Sequence, residues 1–244
     1  MHLPKCRFSL LLSLTILVIA IEGCAAKDNR NNRPWDVVAR ENMVDRQIKA
    51  RGVTDKGVIS AMLKVERHRF VPSALEKLAY GDHPLPIGEE QTISQPYIVA
   101  LMTERLKLKT TDRVFEVGTG SGYQAAILSL LVSEVYTVEI IESLADSAAA
   151  RLDRLGFRNV YVRCGDGFLG WPEKAPFDAI IITCAPPKLP GPLVAQLAEG
   201  GRLIVPLGDD FQVLTVYEKT GNVLKKEEIA PVLFVPMKGI IEDQ

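Results

Sequence analysis

The sequence predicts an α/β fold, a mostly parallel doubly wound sheet with helices on both faces and an antiparallel C-terminal strand. Three observations predict it. An apolar run at 114–117 breaks into Gly118, Gly120 and Gly122 and then into an alanine- and leucine-rich stretch. That is the strand–loop–helix opening of a nucleotide-binding unit. Further strand-like runs follow at 135–139, 160–163 and 177–183, the last almost continuously apolar, so both sheet faces must be covered. Finally, acids stand near strand ends, with Glu139 about twenty residues beyond Gly118 and Asp166 after the third strand.

The glycine spacing narrows the ligand. A dinucleotide fingerprint needs a glycine where Tyr123 stands, and the pattern here is G-x-G-x-G with Glu116 two residues ahead. This form suits S-adenosyl-L-methionine, which has no pyrophosphate, and Glu139 suits its ribose hydroxyls. Taken singly, Glu139 and Asp166 read equally well as caps of the elements that follow.

The other elements follow in order. Residues 36–51 are helical in composition and stop at Gly52, a left-handed cap. Thr54 or Asp55 starts a second helix that buries Val58, Ile59, Met62 and Leu63. Residues 80–96 hold prolines at 84, 86 and 96 and glycines at 81 and 88, which makes an ordered loop or short hairpin. From Tyr97 a helix turns Ile98, Val99, Met102 and Leu106 inward. Ser94 then lies just before a helix start, facing the glycine loop, where Thr92 or Ser94 is either a cap or a functional hydroxyl. Residues 200–208 read as a fifth strand and 211–217 as one arm of a hairpin closed at 220–222. Residues 232–237 read as the last strand, inserted antiparallel into the sheet.

Composition bounds the rest. With 244 residues, 47% hydrophobic and 24% charged, the chain fits one α/β domain with an N-terminal extension. A formal charge of −1 without a long basic run argues against a nucleic-acid partner. Lys5 and Arg7 precede an apolar segment at 8–21 and then Gly23, Cys24, Ala25 and Ala26. This reads as an export signal over 1–26, whose apolar stretch of roughly 14 residues is shorter than the ~20 of a mature membrane span. Cys24 is a candidate lipidation site, and cleavage after Ala25 or Ala26 is the alternative. Residues 27–34 read as a polar tether and 35–244 as the domain, with 35–110 supplying N-terminal helices and a substrate loop and 111–244 the cofactor sheet. A periplasmic or lipid-anchored protein is expected, touching membrane only through this N-terminus.

Cys164 and Cys184 are expected at the ends of strands three and four of a 3-2-1-4-5 order. Three spacings of ~4.8 Å give roughly 14 Å, twice the ~7 Å limit for a disulfide. No metal-ligand spacing is present; His68 and His83 are isolated, and His68 reads as a packing or capping residue.

The chain resembles the protein-L-isoaspartate O-methyltransferase family from Met43 to about Gly239. The resemblance is carried by RQIKARG at 46–52, RHRFVP at 67–72, PLPIG at 84–88, QTISQPY at 91–97, EVGTGSGYQ at 116–124, GDG at 165–167 and APFD at 175–178. Many methyltransferases share the glycine loop, but TISQP after PLPIG is specific to this family. Glu90 stands where glycine is usual, Glu66 where proline is, and Cys184 where alanine is commoner.

The resemblance implies a monomer that binds S-adenosyl-L-methionine through Glu116, Gly118, Gly120, Gly122, Glu139, Asp166 and Gly167. It implies isoaspartyl proteins and peptides as partners, held by Thr92, Ile93, Ser94, Phe234, Val235 and Pro236. Ser94 is then the catalytic position, donating a hydrogen bond to the substrate carboxylate. The methyl ester formed collapses to a succinimide whose hydrolysis returns some normal aspartate. Family members are mostly cytoplasmic, which sets the alternative to export. Three other readings are a methyltransferase for a small exported metabolite, an oxidoreductase, against which Tyr123 argues, and a non-catalytic exported protein that kept the fold.

Overall fold

Upstream of the sheet, the protein, seen in a computed structural model that describes residues 33–221 and 223–243, starts with helix α1 (Trp35–Met43). A π turn (Val44–Ile48) and a 3₁₀ turn (Lys49–Arg51) extend it to Gly52, whose φ of 93° ends it as the sequence predicts. The Asp55 carboxylate accepts from the Val58 amide at 2.9 Å and caps α2 (Lys56–Lys64). This helix buries Val58, Ala61 and Met62, whereas Ile59 and Leu63 are only half-buried. Residues 80–96 do form a hairpin, β1 (Leu85–Gly88) against β2 (Gln91–Ile93), and α3 (Pro96–Arg105) follows at once.

The sheet then forms from β3 (Arg113–Val117), β4 (Glu134–Glu139), β5 (Val160–Cys164), β6 (Phe177–Ile182), β7 (Leu197–Leu207), β8 (Gln212–Thr220) and β9 (Val223–Val232). Its order is β5-β4-β3-β6-β7-β8-β9, parallel through β7 and antiparallel beyond. Alternation along the central strands splits the core. Val114, Ala179 and Ile181 face one layer, with α2, α3, α4 (Tyr123–Ser129) and Leu152 of α5 (Glu142–Leu155). Phe115, Val117, Ile180 and Ile182 face the other, against Leu193 of the short α6 (Gly191–Ala195), Met237 and Ile241.

The C-terminal expectation needs correcting. Residues 232–237 are not a strand inserted in the sheet. β9 ends at Val232, and beyond it only Pro236 bridges Ala185. The short connection from Thr220 to Val223 sets the register, which brings Val232 opposite Gln212, the first residue of β8, so no partner strand remains beyond it. Pro231 and Pro236 also lack the amides a central strand would donate.

Cys164 ends β5 and Cys184 follows β6, three strand spacings apart, and both are free. The expected signal at 1–26, with Cys24, and the tether as far as residue 32 lie outside the described residues. Among the described residues no helix is long and apolar enough to cross a membrane. The compact unit is Pro34–Gln244.

Candidate functional site

The site grows from the break between β3 and α4. The Gly118 and Thr119 amides turn back onto the Val138 carbonyl at 2.9 and 3.3 Å, which folds the loop over the end of β4. Gly118 has φ 91°, and a Cβ there would fall 2.5 Å from Thr183 Oγ1, so only glycine fits. Thr183, directly after β6, donates to the Val117 and Gly118 carbonyls at 2.9 and 2.8 Å. Gly122 starts α4 at φ 84° against Leu152 and Ala148 of α5. The result is a cavity over the ends of β3, β4 and β6, the ligand side of such a sheet.

Gly118, Gly120, Glu139 and Gly167 all line that cavity, with Val138, Ile140 and Ile141 as apolar wall. Glu139 is 6% exposed, and its two oxygens accept from the Gly120 and Ile141 amides at 2.8 and 3.1 Å. Each oxygen keeps a second lone pair. Among the lining residues Lys238 is the one cation, so the donor set fits a ribose and an amino acid better than a pyrophosphate.

Three predicted contacts, Gly122, Asp166 and Glu116, stand back from the cavity. Asp166 accepts from the Phe168 and Ile240 amides, both at 2.8 Å, and so joins the turn at 167–169 to the C-terminal segment. Glu116 lies fully buried, with no hydrogen-bond partner for either oxygen. Burial pushes its carboxyl up to about 8, Glu139 adds to the rise, and Thr137, opposite it on β4, pulls the other way.

The hairpin closes the other side. Thr92, Ile93 and Ser94 line the cavity, and Ile87 reaches to 3.3 Å from a Cβ on Gly120. Gln95 precedes α3 with no side-chain cap bond, so neither the Thr92 nor the Ser94 hydroxyl caps that helix. A groove adjoins, bounded by Arg51, Pro84, Ile98 and residues 231–235, Phe234 among them. Thr92, Ser94, Thr183 and Val235 border both spaces, and Pro236 borders the cavity. His68 packs with Trp35 and Tyr80, its Nδ1 2.8 Å from the Tyr80 hydroxyl. Among the described residues no three His, Cys, Asp or Glu side chains could hold a metal.

Fold and site together define an S-adenosylmethionine-dependent methyltransferase of the Rossmann-like class. A sequence profile of the family "Protein-L-isoaspartate(D-aspartate) O-methyltransferase" matches residues 38–241, and the chain belongs to that family. It is 50% identical over 232 residues to Protein-L-isoaspartate O-methyltransferase 2 of Shewanella sediminis, covering 94% of this chain and 95% of that one. It is 56% identical over 206 residues to Protein-L-isoaspartate O-methyltransferase 1 of Nitrosospira multiformis, covering 82% and 87%. Among solved structures, a Plasmodium falciparum putative protein-L-isoaspartate O-methyltransferase in complex with S-adenosyl-L-homocysteine matches with TM-score 0.72 and 28% identity, over 84% of this chain and 99% of that one. A protein-L-isoaspartate O-methyltransferase matches with TM-score 0.75 and 32% identity, over 83% and 67%.

Some participants escaped the sequence. Thr183 was findable, as the residue after the fourth strand at the point where strand order reverses. Cys184, expected at that same strand end, also lines the cavity, as does Lys238, which nothing in its local sequence marks. Arg67, noted in the sequence only within the RHRFVP motif, is completely buried.

Proposed function

We infer that the chain transfers the methyl group of S-adenosyl-L-methionine to the free carboxylate of L-isoaspartyl residues in damaged proteins and peptides, the step that starts their repair. One observation carries this beyond family membership: the cavity and the groove share the hydroxyl-bearing residues Thr92, Ser94 and Thr183. A carboxylate lying in the groove meets hydroxyls where the cavity opens. Bound in the cavity, S-adenosyl-L-methionine supplies an electrophilic methyl group on its sulfonium.

A carboxylate is ionised at neutral pH, with an ordinary pKa of about 4, so no general base is required. Neither lining set contains a histidine. The residues therefore act by alignment, worth roughly 7–11 kcal/mol at best. Ser94 donates to the substrate carboxylate. Ile93, Phe234, Val235 and Pro236 wall the peptide, Glu139 takes the ribose hydroxyls, Gly118, Gly120 and Gly167 keep the floor bare, and Gly122 serves the cofactor loop from behind by starting α4. Glu116 and Asp166 support the cofactor side from behind. The test is methyl transfer to paired peptides that differ only in an isoaspartyl or aspartyl linkage. Equal transfer to both, or to neither, overturns the reading.

Export is proposed from residues 5–26 alone. A mature N-terminus at a lipidated Cys24, or at Ala26 or Lys27, supports it, and intact Met1 by mass spectrometry refutes it. The domain acts as a monomer, which light scattering checks.

A further inference from the structure

We infer that Arg67 is a positioning residue for methyl transfer, acting through Ser94, and this rests on the reading of Ser94 given above. The Arg67 guanidinium is 0% exposed. Its Nε donates to the Ala79 carbonyl at 2.7 Å, and one terminal nitrogen donates to the Ser94 carbonyl at 2.8 Å. Those two carbonyls flank the β1–β2 hairpin, so one planar group closes the hairpin's base. The guanidinium carbon also lies 4.8 Å from the centre of the Tyr123 ring, and Tyr123 opens α4 directly behind the glycine loop. A single side chain thus touches the backbone of the hydroxyl-bearing residue and the helix that carries the cofactor loop.

The two ends of this bridge are not equal. Next to Ala79, Tyr80 is fixed on several sides. Its carbonyl accepts from Gln47 at 2.9 Å, and its hydroxyl is 3.1 Å from Arg40 and 2.8 Å from His68. Ser94 has no comparable tether in its side chain, and Arg67 holds its carbonyl. Arg67 therefore carries the fixed position of residues 79–80 across to Ser94.

Burial of this cation is costly, because the other terminal nitrogen has no hydrogen-bond partner. An apolar residue of similar volume would fill the space without that penalty, but could not join two carbonyls. Lysine would keep the charge and lose the planar fork. Geometry is what the arginine uniquely supplies here.

The test is a double-mutant cycle in the full chain with Arg67→Lys and Ser94→Ala. It reads single-turnover rate on an isoaspartyl peptide at saturating S-adenosyl-L-methionine, together with cofactor affinity and melting temperature. Arg67→Lys is expected to slow turnover about tenfold, as loss of one well-placed hydrogen bond would. Cofactor affinity should stay at the parental value, and the rate should fall no further when Ser94→Ala is already present. Equal fractional losses in both backgrounds, or a parental rate for folded Arg67→Lys, overturn the inference. If Arg67→Lys does not fold, Arg67→Gln, which leaves no charge in the core, carries the same cycle. A slow Ser94→Ala beside a parental Arg67 variant refutes only the role of Arg67. A parental rate for Ser94→Ala refutes the reading of Ser94 and the route assigned to Arg67 with it.

Discussion

Glu139 holds Gly120: one carboxylate oxygen accepts from the glycine amide at 2.8 Å, while the same side chain borders the cavity. The acid proposed to take the cofactor's ribose is therefore also the clasp of the glycine loop. Loop shape and the proposed ribose contact thus share one side chain.

Replacing Glu139 by alanine should weaken S-adenosyl-L-methionine binding by about 2–4 kcal/mol, since a charged acceptor is lost and the Gly120 amide is released. Folding should persist, because β4 is held by its parallel partners on both sides. Calorimetric titration giving the parental affinity would take Glu139 out of the cofactor site.

Ser94→Ala should cut turnover while leaving cofactor affinity and melting temperature near the parent. One hydrogen bond to an ionised oxygen is worth about 1.5–3 kcal/mol, or roughly ten- to hundredfold in rate. A helix-cap role would instead cost ~1 kcal/mol of stability. A lowered melting temperature with a normal single-turnover rate would end the catalytic assignment.

Glu116 makes stability depend on pH. Its carboxyl is raised from 4.5 to about 8 in the folded chain, so the folded state keeps a proton that the unfolded state gives up. The stabilisation is complete below about 4.5 and is lost as pH rises through about 8. Relative to Glu116→Gln, the parent should lose stability across that window by a few kcal/mol, at roughly 1.4 kcal/mol per pH unit. Denaturant melts at pH 5 and pH 8 read the difference, and parallel pH profiles would refute it.

Glu89 and Glu90 both have positive φ, 52° and 58°, at the tip of the hairpin. Left-handed backbone costs a non-glycine residue roughly 1–2 kcal/mol, less the entropy that glycine itself loses on folding. Glu90→Gly should accordingly stabilise the protein by about 1 kcal/mol, a rise of some 2–4 °C for a domain of this size. A fall in melting temperature would mean that the Glu90 side chain contributes a contact outweighing the strain.

Local chemistry was the legible part of this chain. Gly52, Asp55 and the β1–β2 hairpin follow from capping and turn rules, and the central strands follow from unbroken apolar runs. Gly118 and Glu139 were readable because their spacing is set by one strand–loop–helix unit. Long-range facts were not. That Asp166 is occupied by Ile240, 74 residues away, depends on how the C-terminal segment returns across the sheet. That Arg67 is interior depends on two carbonyls 12 and 27 residues away. The β8–β9 hairpin followed from its turn, but 232–237 was misjudged because hydropathy shows which segments are apolar and not whether a partner strand is left for them. Glu90 is the instructive case: its departure from the family's glycine was visible in sequence, and its φ supplies the reason glycine is usual there.

The outward order β7-β8-β9 also bears on how the protein assembles. Pairings between distant parts of the chain finish with β7, and β8 and β9 each add next to the strand just before them. Short closures cost little entropy, whereas the parallel pairings must bring together residues separated by whole helices. The β7-β8-β9 edge therefore needs only short closures, whereas the parallel sheet rests on long-range ones. Residues 231–232 of the groove wall thus belong to a locally closed edge strand, and 233–235 continue past it, where the Phe234 amide is held by Gln212.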